Sequence, residues 1–194
     1  MNNYYKKHQK QIEDLSYKPR LLLHVCCGPC SLYPLYYLKD HFRITVYYTN
    51  SNIYPITEYD HRLWELERYL DALDAPIELV MPKYDVSYQK RLAPYAFERE
   101  GLRRCAKCYA YRLKDSYEYA KTHNFEYFST IMSISRHKNS DYLNYLGSKL
   151  EEEDKGPKFL FADFKKGNGE SLNKQFNQVM KLYEQNYCGC LYSK

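Results

Sequence analysis

Three cysteines follow directly on an apolar run near the start of the chain. Cys26, Cys27 and Cys30 have C-C-x-x-C spacing, and Gly28 and Pro29 separate the second thiol from the third. A Gly-Pro pair disfavours a regular helix, so the spacing predicts a turn that carries several sulfur atoms. Reduced cysteine also packs as a small hydrophobic side chain. Clustered thiols on a turn nevertheless favour a metal-binding or redox role.

The other four cysteines form two further groups. Cys105 and Cys108 lie three residues apart in a segment of helical pattern, which places both sulfurs on one helix face. Cys188 and Cys190 flank a glycine near the end of the sequence and could form a strained, reducible disulfide. A reduced tail without a function is an equal alternative for this last pair.

Composition indicates where such cysteines would work. A chain of 194 residues is typical of one compact domain. No apolar run approaches the roughly 20 residues that span a bilayer, and the first residues are polar. We therefore expect a cytoplasmic protein with no membrane partner, whose thiols are metal ligands or catalytic groups. The net charge of +5 permits an anionic partner.

Alternating strands and helices must position these groups. Residues 21–25, 44–49, 77–81, 126–132 and 158–164 have strand character, and helical patterns fall between them. The first of these helices is predicted to begin at Ser31 and the last to span residues 172–186. The pattern predicts a three-layer, doubly wound α/β fold with a mostly parallel five-stranded sheet of Rossmann-like or HUP-like type. A polar leader of residues 1–19 would precede one metal-binding catalytic domain, residues 20–194.

Such a fold brings its chemistry-bearing loops to one crevice, because the carboxyl ends of parallel strands meet at the same edge. Four thiolates, from Cys26, Cys27, Cys105 and Cys108, satisfy either a tetrahedral zinc ion or a [4Fe-4S] cluster. Spacing alone does not choose between them, although adjacent cysteines suit separated cluster corners somewhat better. Cys30 remains as a fifth ligand or a free thiol. His24, inside the first strand, is predicted to be a core residue.

Several motifs in this order resemble the QueH-type epoxyqueuosine reductases. The resemblance covers about residues 20–191 and rests on these stretches: Leu23-His24-Val25-Cys26-Cys27-Gly28-Pro29-Cys30-Ser31, Tyr48-Thr49-Asn50-Ser51-Asn52-Ile53-Tyr54-Pro55 with Arg62, Arg104-Cys105 with Cys108-Tyr109 and Arg112-Leu113, Ser133-Ile134-Ser135 with Lys138-Asn139, Asp163-Phe164-Lys165-Lys166, and Tyr187-Cys188-Gly189-Cys190. One departure is Gly169-Glu170-Ser171, where the family pattern has an aromatic residue and an arginine before the serine.

The resemblance implies the last step of queuosine biosynthesis, the reduction of the epoxide of epoxyqueuosine at the wobble position of tRNA. It also implies a [4Fe-4S] cluster beside an adjacent mononuclear iron. The sequence does not identify the electron donor, and we expect a monomer. The resemblance assigns the first two groups of cysteines, Cys26, Cys27, Cys30, Cys105 and Cys108, to metal binding. Which of Cys26, Cys27 and Cys30 holds the second iron stays open; Cys30 is left over when four cluster ligands are counted, so we expect it to be catalytic and to face that iron. The other predicted site residues are the redox dithiol Cys188 and Cys190 and the substrate-binding residues Asn52, Arg62, Arg112, Ser133, Lys138 and Lys165.

Two other functions fit the same residues. The first is a zinc-stabilised tRNA-binding or tRNA-thiolation-like protein without redox chemistry. The second is a dithiol oxidoreductase that uses Cys188 and Cys190. Nicotinamide and P-loop nucleotide binding are disfavoured, because neither a Gly-x-Gly-x-x-Gly after the first strand nor a P-loop is present.

Overall fold

A single sheet of five parallel strands forms the centre of the molecule. The computed structural model describes residues 3–153 and 155–193. The strands are β1 (Arg20–His24), β2 (Arg43–Tyr47), β3 (Glu78–Val80), β4 (Tyr127–Thr130) and β5 (Lys158–Phe159). They are arranged in the order β3-β2-β1-β4-β5, and every neighbouring pair is parallel. The predicted α/β class and five-stranded, doubly wound sheet are confirmed.

Helices cover both faces of this sheet. They are α1 (Tyr4–Glu13), α2 (Gly28–Leu38), α3 (Ile56–Ala72), α4 (Tyr88–Leu92), α5 (Arg103–Thr122), α6 (Ser140–Glu153) and α7 (Gly169–Met180), with short 3-10 turns at Ala93–Tyr95 and Ile131–Ile134. Helix α2 packs against α3 and α7, whereas α5 packs against α6. From β1 the chain adds β2 and then β3 toward one edge of the sheet, and from β4 it adds β5 toward the other edge. Right-handed crossovers in these opposite directions place the two groups of helices on opposite faces. In the part of the chain described, no helix is long and apolar enough to cross a membrane.

Strand β1 is the most deeply buried strand and fixes the position of the cysteine turn. Leu21, Leu22 and Leu23 are fully buried, because β1 pairs with β2 on one side and β4 on the other while helices cover both faces. The direction in which successive strands are added to the sheet reverses between β1 and β4, so the loops that leave these two parallel strands diverge. Ligands of open α/β sheets bind in the crevice that this divergence creates.

Two helix boundaries differ from the sequence expectation, and both matter for the site. Helix α2 begins at Gly28 rather than at Ser31, since Pro29 occupies a first-turn position where its missing N–H costs nothing. Cys30 therefore lies in the first turn of a helix. Helix α7 ends at Met180 rather than at residue 186, because Lys181 adopts a left-handed conformation with φ of 51°.

The fifth strand is shorter than predicted because α1 satisfies the backbone beyond it. The side chain of Gln11 donates to the carbonyl of Phe159 at 2.9 Å and accepts from the N–H of Phe161 at 2.9 Å. His8 contacts the carbonyl of Phe161 at 2.7 Å. The helix of the N-terminal segment is thus hydrogen-bonded to the chain that follows β5, at an edge of the sheet. The sequence also predicts a helix from about Ser140 into an acidic run that ends at Asp154, and Asp154 lies outside the described residues.

Candidate metal centre and adjoining cavity

The three thiols after β1 converge on one point. The Sγ atoms of Cys26, Cys27 and Cys30 all lie within 4.8 Å of one another, and those of Cys26 and Cys27 are 3.9 Å apart. Metal–sulfur bonds of about 2.3 Å place tetrahedral sulfur ligands roughly 3.8 Å apart. The spacing therefore fits shared coordination of a metal. Among the described residues, this is the only cluster of three or more potential ligands this close together.

Close contact between two helices holds the cysteine turn in place. A Cβ atom on Gly28 would lie 2.7 Å from the carbonyl oxygen of Glu65 in α3. Only glycine therefore allows the start of α2 to approach α3 this closely. Ser31 strengthens the first turn, because its hydroxyl donates to the Gly28 carbonyl at 2.6 Å. The positions of the thiols thus depend on a backbone contact as well as on the strand before them.

The three thiols share negative charge. Hydrogen bonds from Cys27 and Cys30 stabilise the thiolate of Cys26, so the pKa of Cys26 lies well below its usual value. The same hydrogen bond to Cys26 raises the pKa of Cys27 to about 12, and the pKa of Cys30 is also raised. Burial lowers the pKa of the Lys138 ammonium, but the nearby Cys26 and Cys30 sulfurs raise it more, so the net shift is upward. The cluster is suited to exchange its protons for a cation.

The second pair of cysteines lies in the first two turns of α5. Cys105 and Cys108 are buried, and the Sγ of Cys105 accepts from the N–H of Gly101 at 3.2 Å. Cys108 packs with Cys190 in a small cluster separate from the main core. The sulfurs of this pair do not belong to the compact three-thiol group. The α5 pair instead adjoins the tail pair, because Cys108, Cys188 and Cys190 belong to the same small cluster.

Arg112 connects α5 to the cysteine turn. Its guanidinium is buried; Nε donates to Nε2 of His24 at 3.2 Å, and Nη2 donates to the side-chain oxygen of Asn50. Burial lowers the pKa of Arg112, but the sulfurs of Cys108 and Cys26 raise it more. One cation thus lies between the two groups of cysteines. His24 is fully buried and contacts the Thr130 hydroxyl at 2.7 Å, so its prediction as a core residue is confirmed.

A cavity of about 710 Å³ opens beside the three thiols. Cys30 and Cys188 are the two cysteines in its wall. The other lining residues come from the start of α2, the loop before α5, the segment after β4, α7 and the segment after α7. They are Pro29, Glu100, Ile134, Ser135, Arg136, His137, Lys138, Glu170, Asn173, Lys174, Glu184, Gln185, Asn186 and Tyr187. Pockets of 300–1,000 Å³ are typical of small-molecule sites. The volume is sufficient for one modified nucleoside.

The C-terminal tail closes one side of this cavity. Cys190 pairs with Ile53 in an antiparallel bridge, and the N–H of Tyr54 donates to the Gly189 carbonyl at 2.8 Å. Gly189 has φ of 90°, and a Cβ there would lie 2.8 Å from Nη2 of Arg62. All seven cysteines are free, so a disulfide between Cys188 and Cys190 is not supported.

Comparison with known proteins assigns the chain to a family. A family model described as epoxyqueuosine reductase QueH matches residues 21–194. The chain belongs to the epoxyqueuosine reductase QueH family. It is 36% identical to a QueH enzyme of Streptococcus pyogenes serotype M1, over 93% of this chain and 72% of that protein. It is 35% identical to a QueH enzyme of Dehalococcoides mccartyi, over 91% of this chain and 93% of that protein. The members of this family are oxidoreductases.

A solved structure supports the fold. The chain resembles the U34-tRNA thiolase NcsA from Methanococcus maripaludis, determined with its [4Fe-4S] cluster. The TM-score is 0.56 at 14% identity, over 98% of this chain and 68% of the thiolase. At this identity the likeness concerns the architecture, and it places the QueH sheet among the HUP-like folds.

Most of the predicted substrate-binding side chains of this QueH chain make internal contacts. Arg62 pairs with Glu58 at 2.7 Å and donates to the Cys188 carbonyl at 3.0 Å, and Arg112 is held as described above. Ser133 and Lys165 contact each other through the Ser133 carbonyl and the lysine ammonium at 2.6 Å. These four side chains support the walls of the site.

The two remaining candidates differ in position. Asn52 is buried, and its side-chain oxygen has no hydrogen-bond partner among the described residues. Lys138 is half-buried and lines the cavity. Glu170, in the stretch that departs from the family pattern, also lines the cavity; it pairs with Arg136 and, at 3.1 Å, with Lys174. Of the predicted contacts, Lys138 is therefore the one placed to meet a ligand.

Sequence reasoning missed the segment after α7. Glu184 and Gln185 line the cavity, and Nε2 of Gln185 donates to the Sγ of Cys27 at 3.2 Å. The amphipathic pattern continues past residue 180, so it predicted helix where the chain turns away. A lysine in a left-handed conformation carries no strong sequence signal, unlike a glycine. The hydrogen bond to Cys27 therefore could not be anticipated.

Proposed function

We propose that this chain reduces the epoxide of epoxyqueuosine in tRNA to the alkene of queuosine. The reaction consumes two electrons and two protons, forms a carbon–carbon double bond and releases the epoxide oxygen as water. The observation that carries the proposal is the cluster of three thiols within 4.8 Å of one another at a cavity of about 710 Å³, in a chain of the QueH family.

The proposed metal centre uses the cysteines that the sequence singled out. Cys26, Cys27, Cys105 and Cys108 would hold a [4Fe-4S] cluster, and Cys30 would face an adjacent iron. Such a centre supplies single electrons and a Lewis acid for the oxygen that leaves. Cys30 is the member of the first group that lines the cavity, and this position supports its assignment to the substrate side.

The surrounding residues have proposed roles in binding and charge. The ammonium of Lys138 in the cavity wall would offset the negative charge that develops on the epoxide oxygen. Four of the predicted substrate-binding residues would support the cavity walls through their internal contacts: Arg62, Arg112, Ser133 and Lys165. Asn52 would act through its buried side-chain oxygen, which has no hydrogen-bond partner among the described residues. A monomeric state is part of the same proposal. The modified nucleotide would enter after unstacking from the anticodon loop.

Cys188 and Cys190 are proposed as a redox dithiol. Two thiols that join in a disulfide release two electrons and two protons, which is the amount that the epoxide consumes. Cys188 lines the cavity, and Cys190 is buried in the cluster that contains Cys108. An external reductant would then return the pair to the dithiol.

Anaerobic metal analysis combined with a nucleoside assay tests this function. Protein prepared without oxygen is analysed for iron, zinc and sulfide, and is then incubated with dithionite and tRNA that contains epoxyqueuosine. We expect iron, sulfide and queuosine in the digested tRNA. The Cys30→Ser variant should lose turnover while it keeps most of its sulfide. Zinc without sulfide, together with unchanged epoxyqueuosine, would contradict the proposal and favour a zinc-stabilised tRNA-binding protein.

A further inference from the structure

A fully exposed aromatic side chain lies in the loop that precedes α5, the helix that carries Cys105 and Cys108. Phe97 lies in the loop between the 3-10 turn Ala93–Tyr95 and α5, with a relative exposure of 104%. Large apolar side chains in water forgo the stabilisation of burial. The neighbouring Leu102 is also exposed. Isolated exposed apolar residues are ordinary, so the significance of Phe97 depends on how its loop is built.

The loop is held rigidly by a buried arginine. Arg104 is 2% exposed, and its Nη1 donates to the carbonyl of Ala96 at 2.9 Å and to the carbonyl of Glu98 at 2.5 Å. These two carbonyls flank Phe97. The Glu98 carboxylate in turn accepts from the backbone N–H of Arg104 at 3.1 Å and from Nε of Arg103 at 2.6 Å. The fold therefore fixes the backbone on both sides of Phe97 while its ring stays in solvent.

The surface around this loop is cationic. Lys90, Arg91, Arg99, Arg103 and Lys107 are exposed, whereas the acidic residues of the same stretch are Glu98 and Glu100. Arg91 pairs with Asp85, and Arg103 pairs with Glu98. No ion pair is found for Lys90, Arg99 or Lys107 in the described part of the chain. Lys90 on α4, Arg99 in the loop and Lys107 on α5 are thus exposed cations on the loop of Phe97 and the two helices that flank it, available to an anionic partner.

The same loop reaches the cavity. Glu100, three residues after Phe97, is part of the cavity wall, and the N–H of Gly101 contacts the Sγ of Cys105. When a larger molecule inserts one group into the cavity, the groups next to the inserted one would lie against this loop. This position connects the exposed ring to the proposed site.

We propose that Phe97 and the cations Lys90, Arg99 and Lys107 form a docking surface for single-stranded RNA. An unpaired base of the anticodon loop stacks on the Phe97 ring while the cations contact the adjacent phosphates. Aromatic rings combined with cations are the usual means of binding unpaired nucleotides. Pre-ordering of the loop reduces the entropy lost on binding. The proposal rests on the proposed function in taking tRNA as the RNA.

Binding of an anticodon stem-loop RNA tests the docking surface. The holoprotein and its Phe97→Ala variant are titrated into a fluorescein-labelled stem-loop RNA with guanosine at the wobble position. Loss of one stacked base weakens binding by roughly 5- to 150-fold, and Phe97→Trp should restore it. Val179→Ala, which truncates an 81% exposed side chain on α7, is the control and should bind normally. Arg99→Gln should reduce the slope of log Kd against log salt by about one.

Several results would overturn the docking surface. The first is a Phe97→Ala variant that binds the RNA as tightly as the wild type while its iron content and circular dichroism equal those of the wild type. The second is a wild-type protein that does not bind the RNA. A Phe97→Ala variant that binds RNA normally but accepts electrons slowly from a reductant protein would assign the surface to a protein partner instead. If the wild type binds the RNA through Phe97 but never reduces epoxyqueuosine, the docking surface holds and the proposed function fails.

Discussion

The stability of the protein should fall in mild acid because of His8 in α1. His8 is 4% exposed, and its Nε2 has no hydrogen-bond partner among the described residues. Burial lowers its pKa from 6.5 to about 4 in spite of the contact with the Phe161 carbonyl. A protonated ring would place an uncompensated charge between α1 and the sheet. The folded state therefore binds this proton about 2.5 pH units lower than the unfolded chain does.

The size and sign of the effect follow from these two pKa values. Above pH 6.5 both states are neutral at His8, and the residue contributes no pH dependence. Between pH 6.5 and about 4 the unfolded state takes up a proton that the folded state refuses. The free energy of unfolding then falls by about 1.4 kcal/mol per pH unit. Between pH 7 and pH 4.5 the loss is about 2.4 kcal/mol, and below the folded pKa the slope from His8 disappears.

Urea unfolding at several pH values measures this loss. The His8→Asn variant keeps an N–H that can donate to the Phe161 carbonyl but does not titrate, so the difference between wild type and variant isolates His8 from the carboxyl groups. His137→Asn, at an exposed histidine, is the matched control and should follow the wild type at every pH. A wild-type minus His8→Asn difference that stays constant from pH 7 to 4.5 would refute the reasoning.

Two further substitutions probe the walls of the site. Gly28→Ala should reduce the iron bound after anaerobic reconstitution, because its Cβ would lie 2.7 Å from the Glu65 carbonyl oxygen. The control Gly147→Ala overpacks a different part of the core and should lose about 1–3 kcal/mol of stability but keep its iron. Equal iron loss in both variants would contradict this role of Gly28. Arg62→Met should cost about 2 kcal/mol in urea unfolding, since it leaves the half-buried Glu58 carboxylate unpaired. It should also speed alkylation of the tail cysteines, and an unchanged alkylation rate would show that Arg62 does not hold the tail.

Local patterns predicted the fold well because the strongest signals in this chain are local. The apolar residues of β1 and the alternation of strands with helices require a buried parallel sheet, and the three thiols after β1 follow from their spacing. The same patterns could not show that Arg62 contacts the tail carbonyls rather than a ligand. Nor could they show that α7 stops at Met180. Those features depend on contacts between residues far apart in the sequence, which propensity does not encode.

The hydrogen bond between Gln185 and Cys27 has a consequence for assembly. It joins residues 158 positions apart, and the tail that contains Cys188 is bound to Arg62 and Ile53 in the first third of the chain. Synthesis proceeds from residue 26 toward residue 190, so the sheet and the first five cysteines are complete before the last wall of the cavity exists. Until the tail docks, Cys27 lacks its contact with Gln185 and the cavity beside the three thiols lacks one wall. Docking of the tail is thus the step that encloses the centre.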